Sequence, residues 1–105
     1  MASVMCQYDR PTDTHHWAEY NRQVRDWIAE LLAIPGAVSF VAYRTVDGAS
    51  PNITTMLEFR TLDEARNAIQ SAQMKNVLQS LRAVGGNPKV LIIEHSPFTP
   101  EPILA

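Results

Sequence analysis

From Asn52 to Arg60 the chain alternates. Ile53, Thr55, Leu57 and Phe59 fall on one side and Thr54, Met56, Glu58 and Arg60 on the other, which is the period of a strand with two unlike faces. Just upstream, Ala37 to Val46 is rich in Val, Phe, Tyr and Thr, residues that suit a pleated surface. Asp47-Gly48 and Ser50-Pro51-Asn52 supply turn chemistry between the two runs. The stretch from Pro35 to Thr61 therefore predicts a hairpin. Its first strand is largely apolar on both sides, Val38/Phe40/Ala42 and Val41/Tyr43, as in a strand covered on both faces. Since the chain offers only two helices to do the covering, the pattern predicts that a second copy of the sheet packs against the first, giving a homodimer.

The same reading extends outward. Ser3 to Tyr8 is a short β-prone run ended by Asp9-Arg10-Pro11. Thr12, Asp13 and Thr14 are all competent helix caps, and Trp17, Tyr20, Val24, Trp27, Ile28 and Leu31 follow at spacings of 3, 4, 3, 1 and 3, predicting a helix from His15 to Ala33 with both Trp side chains in the core. Thr61-Leu62-Asp63-Glu64 has the form of a capping box. The helix it starts buries Ala65, Ala68, Ile69 and Ala72, then Val77, Leu78 and Leu81, with a phase shift and an expected kink between Ser71 and Met74. After Gly85-Gly86-Asn87-Pro88, the run Lys89 to His95 predicts a last strand buried on both faces. The element order β-α-β-β-α-β is that of an α+β, ferredoxin-like split βαβ sandwich with an antiparallel sheet. Residues 1–95 form this domain. Residues 96–105, with three prolines in ten positions, form an arm whose Phe98, Ile103 and Leu104 can pack against the body or a partner subunit.

Composition narrows the function classes. A formal net charge of -2 with acids and bases interspersed leaves no basic stripe to neutralise phosphates, which argues against nucleic acid as a partner. The N-terminus lacks a basic segment followed by a long apolar run, and no stretch approaches the roughly 20 apolar residues needed to span a bilayer. A cytoplasmic protein with no membrane partner is predicted. The single cysteine, Cys6, has no internal partner and reads as a small buried hydrophobe.

With the order in place, the residues resemble the dimeric α+β barrel proteins, including the antibiotic-biosynthesis-monooxygenase-like and EthD-like families. The resemblance rests on Pro35-Gly36, Val38-Ser39-Phe40 and Tyr43-Arg44, then Glu58-Phe59-Arg60-Thr61 and Asp63-Glu64-Ala65, with Asp13, Trp17 and Tyr20-Asn21 at the N-terminal end. It implies a homodimer whose two sheets form one barrel and a pocket in each subunit between sheet and helices. It does not settle an activity, because the fold serves many. Haem-degrading relatives use a Trp at the end of the third strand and a His on the second helix. Here Phe59 matches the first position and the helix has no histidine, which disfavours haem. No cofactor is expected.

The candidate site follows from that pocket. His16 lies four residues before Tyr20 on one helical stripe, so an imidazole base and a phenol donor can converge on an enolisable or phenolic substrate. The competing reading leaves His16 wet at the helix start and Tyr20 packed in the core. Gln7, Tyr8, Trp17, Thr55 and Phe59 are the expected ligand-binding residues around them. His15 and His16 diverge by roughly 100° on a helix and make no metal pair. Two functions remain open. One is a cofactor-free monooxygenase-like or isomerase-like enzyme acting on a hydrophobic aromatic or polyketide-like small molecule. The other is a non-catalytic, EthD-like accessory or ligand-binding protein.

Overall fold

The computed structural model describes every residue from Met1 to Ala105. Its elements are β1 (Ala2–Tyr8), α1 (Thr14–Leu32), β2 (Ala37–Arg44), β3 (Ile53–Phe59), α2 (Leu62–Ile69), α3 (Ala72–Ala83) and β4 (Lys89–Glu94). The strands form one antiparallel sheet in the order β2-β3-β1-β4, with the helices on one face. This is the ferredoxin-like α+β fold expected from the alternation and the caps. No helix is long and apolar enough to cross a membrane.

Local chemistry sets the boundaries. Asp13 is the residue that caps α1, its carboxylate accepting from the backbone N–H of His16 at 3.1 Å. Thr61 caps α2: its hydroxyl oxygen accepts from the Glu64 N–H at 3.1 Å and donates to the Glu64 carboxylate at 3.1 Å. That carboxylate lies against Gly36, whose φ of 87° suits glycine, and a Cβ there would overlap the Glu64 side chain. The stop of α1 and the start of α2 thus interlock through a position that only glycine fills without strain.

Two features differ from the sequence pattern. The second helix is broken outright where a kink was expected. Ser71 Oγ donates to the carbonyl of Ala68 at 2.6 Å and accepts from the N–H of Met74 at 3.1 Å, so one side chain closes α2 and caps α3. In β2 the register passes from Ala37↔Phe59 to Ser39↔Glu58, leaving Val38 as the extra residue of a bulge. Phe40 and Ala42 keep to the helix side, while Val38 is 43% exposed.

The helix-facing side of the sheet carries two adjoining clusters. One joins Ala2, Val4, Leu57 and Phe59 to Ile34, Ala65, Ala68 and Met74. The other joins Tyr8 and Ile53 to Tyr20, Trp27, Val77, Leu81 and Val84. The opposite face has no helix over it. Its middle row runs across all four strands as Val41, Met56, Met5 and Leu91, with Val41 and Leu91 about two-fifths exposed. The last strand is therefore covered on one face only. Beyond it, residues 95–105 hold no helix or strand, and Phe98, Ile103 and Leu104 are exposed.

Candidate functional site

Between the sheet and the α1/α3 pair lies a cavity of about 50 Å³ lined by 14 residues, 13 of them hydrophobic. Val4, Cys6 and Tyr8 of β1 with Thr55 and Leu57 of β3 form its floor; Trp27 and Leu31 of α1 with Val77 and Leu81 of α3 close it from above. The space exists because of how the helices sit. The alanines of α2 bring that helix down onto β1, β3 and β4, whereas α3 packs mainly against α1.

Alternation decides which sequence-predicted residues reach this cavity. Tyr8 and Thr55 line it. Gln7, next to Tyr8 on the strand, is paired with Thr54 and Lys89 on the opposite face of the sheet and cannot share the cavity with its neighbour. Phe59 is fully buried in the cluster under α2, one strand pair too far along to touch the cavity. Trp17 is 39% exposed. Expected in the core on helical spacing, it falls in the first turn of α1, stacked between Arg10 and Tyr20.

Tyr20 is buried, and its hydroxyl meets that of Tyr8 at 2.6 Å. Around them an aromatic ladder runs inward from the surface. The Arg10 guanidinium lies 5.3 Å from the Trp17 ring centre, Trp17 stacks on Tyr20 at 6.1 Å, and Tyr20 meets Trp27 edge-on at 5.8 Å. Burial first, and the hydrogen bond to Tyr20 second, push the ionisation of Tyr8 far above the usual phenol range. At neutral pH Tyr8 is thus a neutral hydroxyl. In such a pair one hydroxyl donates to the other, and the accepting member keeps its own O–H free to donate. Cys6, the other polarisable group of the wall, has its thiol pushed up to about 11 by burial, opposed in part by Arg82, and is not a thiolate nucleophile at neutral pH.

His16 is held away from the cavity. Its Nδ1 lies 2.9 Å from the Asp13 carboxylate, its side chain is 40% exposed, and the ring packs beside Gly85 at the end of α3. The His16 N–H, then the His16 side chain, hold the Asp13 carboxyl below its usual range. His16 and Tyr20 share a helix, yet the imidazole points to solvent and the phenol into the core. No three His, Cys, Asp or Glu side chains converge to hold a metal. What the sequence did not show is the Tyr8–Tyr20 bond, since its two hydroxyls come from separate elements.

No protein-family model matches this chain, and no curated protein sequence matches it. Solved structures do. An EthD-family protein from Bacillus halodurans aligns with a TM-score of 0.71 at 16% identity, covering 91% of this chain and 99% of its own. SnoaB, a cofactor-independent oxygenase from Streptomyces nogalater, aligns at 0.69 and 17%, covering 95% and 97%. An antibiotic-biosynthesis-monooxygenase-like protein from Deinococcus radiodurans aligns at 0.73 and 9%, covering 100% and 98%. The chain shares the fold of these structures, which include EthD-family and antibiotic-biosynthesis-monooxygenase-like proteins; identities this low carry the fold alone.

Proposed function

We propose that the chain is a homodimeric binding protein for a small hydrophobic molecule, aromatic or polyketide-like, received between the sheet and the α1/α3 pair of each subunit. The observation that carries this reading is the cavity wall, apolar at 13 of 14 positions and including Tyr8, whose hydroxyl is bonded to that of Tyr20. Such a wall selects for apolar surface, and a spare O–H orients one oxygen of the guest. The free space is about 50 Å³, small beside the roughly 300 Å³ or more of ordinary ligand pockets, so binding requires α3 to lift. Residues 1–95 serve as the subunit body and 96–105 as an arm.

The dimer reading rests on the row Val41, Met56, Met5 and Leu91, which leaves apolar surface uncovered across the whole sheet. A second copy provides a matching apolar row about a twofold axis, with Glu58 and Lys89 in the flanking rows as opposite charges for its rim. Light scattering is expected to give twice the 11.8 kDa of one chain, and Met56→Lys to give a monomer. A wild-type monomer would end this part of the reading.

Binding is tested by titrating, with an anthraquinone, the fluorescence of a Trp17→Phe background in which Trp27 is the one tryptophan left. Saturable quenching at one guest per chain is expected, with weaker binding in Tyr20→Phe and unchanged binding in His16→Ala. No saturation, or equal binding by a variant carrying Val77→Trp in the cavity wall, would overturn it. A second reading, cofactor-free oxygenation, is favoured by the fold shared with SnoaB, itself a cofactor-independent oxygenase. Oxygen uptake with an anthrone in the absence of added cofactor, diminished in Tyr8→Phe, would establish it.

A further inference from the structure

At the sheet end where β1 and β2 finish, outside the apolar cavity, a cleft of about 310 Å³ is lined by Arg10, Arg44, Thr45, Asp47 and Asn52, with Val46 and Gly48. Arg44 pairs in register with Ile53, and Ile53 with Tyr8. Arg44 therefore lies on the helix-facing side of the sheet, the side on which Arg10 covers Trp17. Two arginines from distant parts of the chain thus line one cleft.

Neither has a carboxylate partner. The ion pairs of the structure join His16 to Asp13, Arg22 to Glu19 and Arg66 to Asp63, so Asp47, at the rim of the cleft, neutralises neither arginine at contact range. Asp9, next to Arg10 in sequence, is turned away: it accepts from the Ser50 hydroxyl at 2.6 Å and from the Asn52 N–H at 2.9 Å. Those two bonds hold its carboxyl below the usual range. The Asn52 side-chain oxygen accepts from the Arg10 N–H at 3.0 Å, which leaves the Asn52 amide NH₂ as a free donor. The Thr45 hydroxyl donates to the Pro51 carbonyl at 2.6 Å and is already used. The cleft is thus lined by two arginines without an ion-pair partner and one amide, with Asp47 as the carboxylate among its lining residues. Arg10 is further fixed by its aromatic platform, which reduces the entropy lost when it takes a ligand.

We propose that this cleft is an oxyanion site, taking the carboxylate or phosphate group of a small ligand between the Arg10 and Arg44 guanidiniums. A guanidinium can hold an oxyanion bidentately, and two arginines without a carboxylate partner favour a planar or tetrahedral oxyanion there. The site does not depend on what occupies the cavity.

The test is an amide NMR titration of the full chain with inorganic phosphate and, separately, with acetate. Saturable shifts at the amides of Arg10, Thr45 and Asn52 are expected from both anions, weaker as sodium chloride rises, with tighter phosphate marking a phosphate ligand and tighter acetate a carboxylate one. Arg10→Gln and Arg44→Gln should each weaken binding about tenfold or more, as loss of a charge-assisted contact does. Arg44→Lys should retain only part of the affinity, and Arg66→Gln, on α2, all of it. Shifts that never saturate, or that persist unchanged in the Arg10→Gln/Arg44→Gln double variant while its spectrum stays dispersed, would overturn the assignment.

Discussion

The two halves of the helix layer meet the same sheet in opposite ways. Under α2 the contacts are small and close: Ala65 and Ala68 are essentially buried, and Phe59 beneath them is the largest side chain with no exposure. Under α1 and α3 the contacts are large and aromatic, and they leave a cavity among Tyr8, Trp27, Val77 and Leu81. Small residues let a helix lie flush on a sheet; bulky ones hold it off and leave gaps that rotamers cannot fill. The first half is a clamp and the second a container.

That contrast can be broken by mutation. Phe59→Ala should cost about 3 to 5 kcal/mol, because the site under α2 cannot collapse onto the void. Val77→Ala should cost only about 1.5 kcal/mol, the transfer of two methyl groups, since its neighbours already border free space. Urea denaturation of the two variants compares them directly, and equal losses would erase the distinction. Gly36→Ala is next, at about 2 kcal/mol or more, from the left-handed backbone and the overlap with Glu64 together; a neutral effect in the same assay would remove the interlock between α1 and α2.

Alkaline titration sharpens the container side. The Cys6 thiol is held at about 11 against an ordinary 9.0. Below pH 9 folded and unfolded chains both keep the proton. Above it the unfolded chain ionises first, so stability falls as pH rises from about 9 to about 11, at up to roughly 1.4 kcal/mol per unit. Tyr8, also raised by burial, extends the fall to higher pH. Cys6→Ala should flatten the first part of the curve, measured as the urea midpoint against pH. The smallest effect is expected of Ser71→Ala, about 1 kcal/mol, from loss of one helix cap.

Much of the scaffold was legible before any coordinates. The alternation of Ile53 to Phe59 gave β3 its faces, the Thr61/Glu64 pair gave the start of α2, and Thr12, Asp13 and Thr14 together bracketed that of α1, because strand parity and caps are local chemistry. Ser71 was legible in principle, as a serine at a phase shift, but it followed a pattern continuous enough to pass for one bent helix. The site was less so. Adjacent residues on one strand face opposite ways, so Gln7 and Tyr8 had to part. Helical spacing put Trp17 on the buried stripe without showing that the first turn of α1 leaves it partly exposed. The pairing of two phenols from β1 and α1 is tertiary and leaves no mark in either segment.

On the binding reading proposed above, Ser71 would also shape how a guest gets in. A continuous helix over the cavity would act as a rigid beam, and lifting its far end would lever α2 off the alanine contacts below. With the helix already interrupted at Gln70 and Ser71, α3 would then be free to lift on a two-residue hinge while α2 stayed fixed as the frame. The work of admitting a molecule would be confined to the contact between α3 and α1, and the rate of entry and exit would be set by how fast that one seam opens.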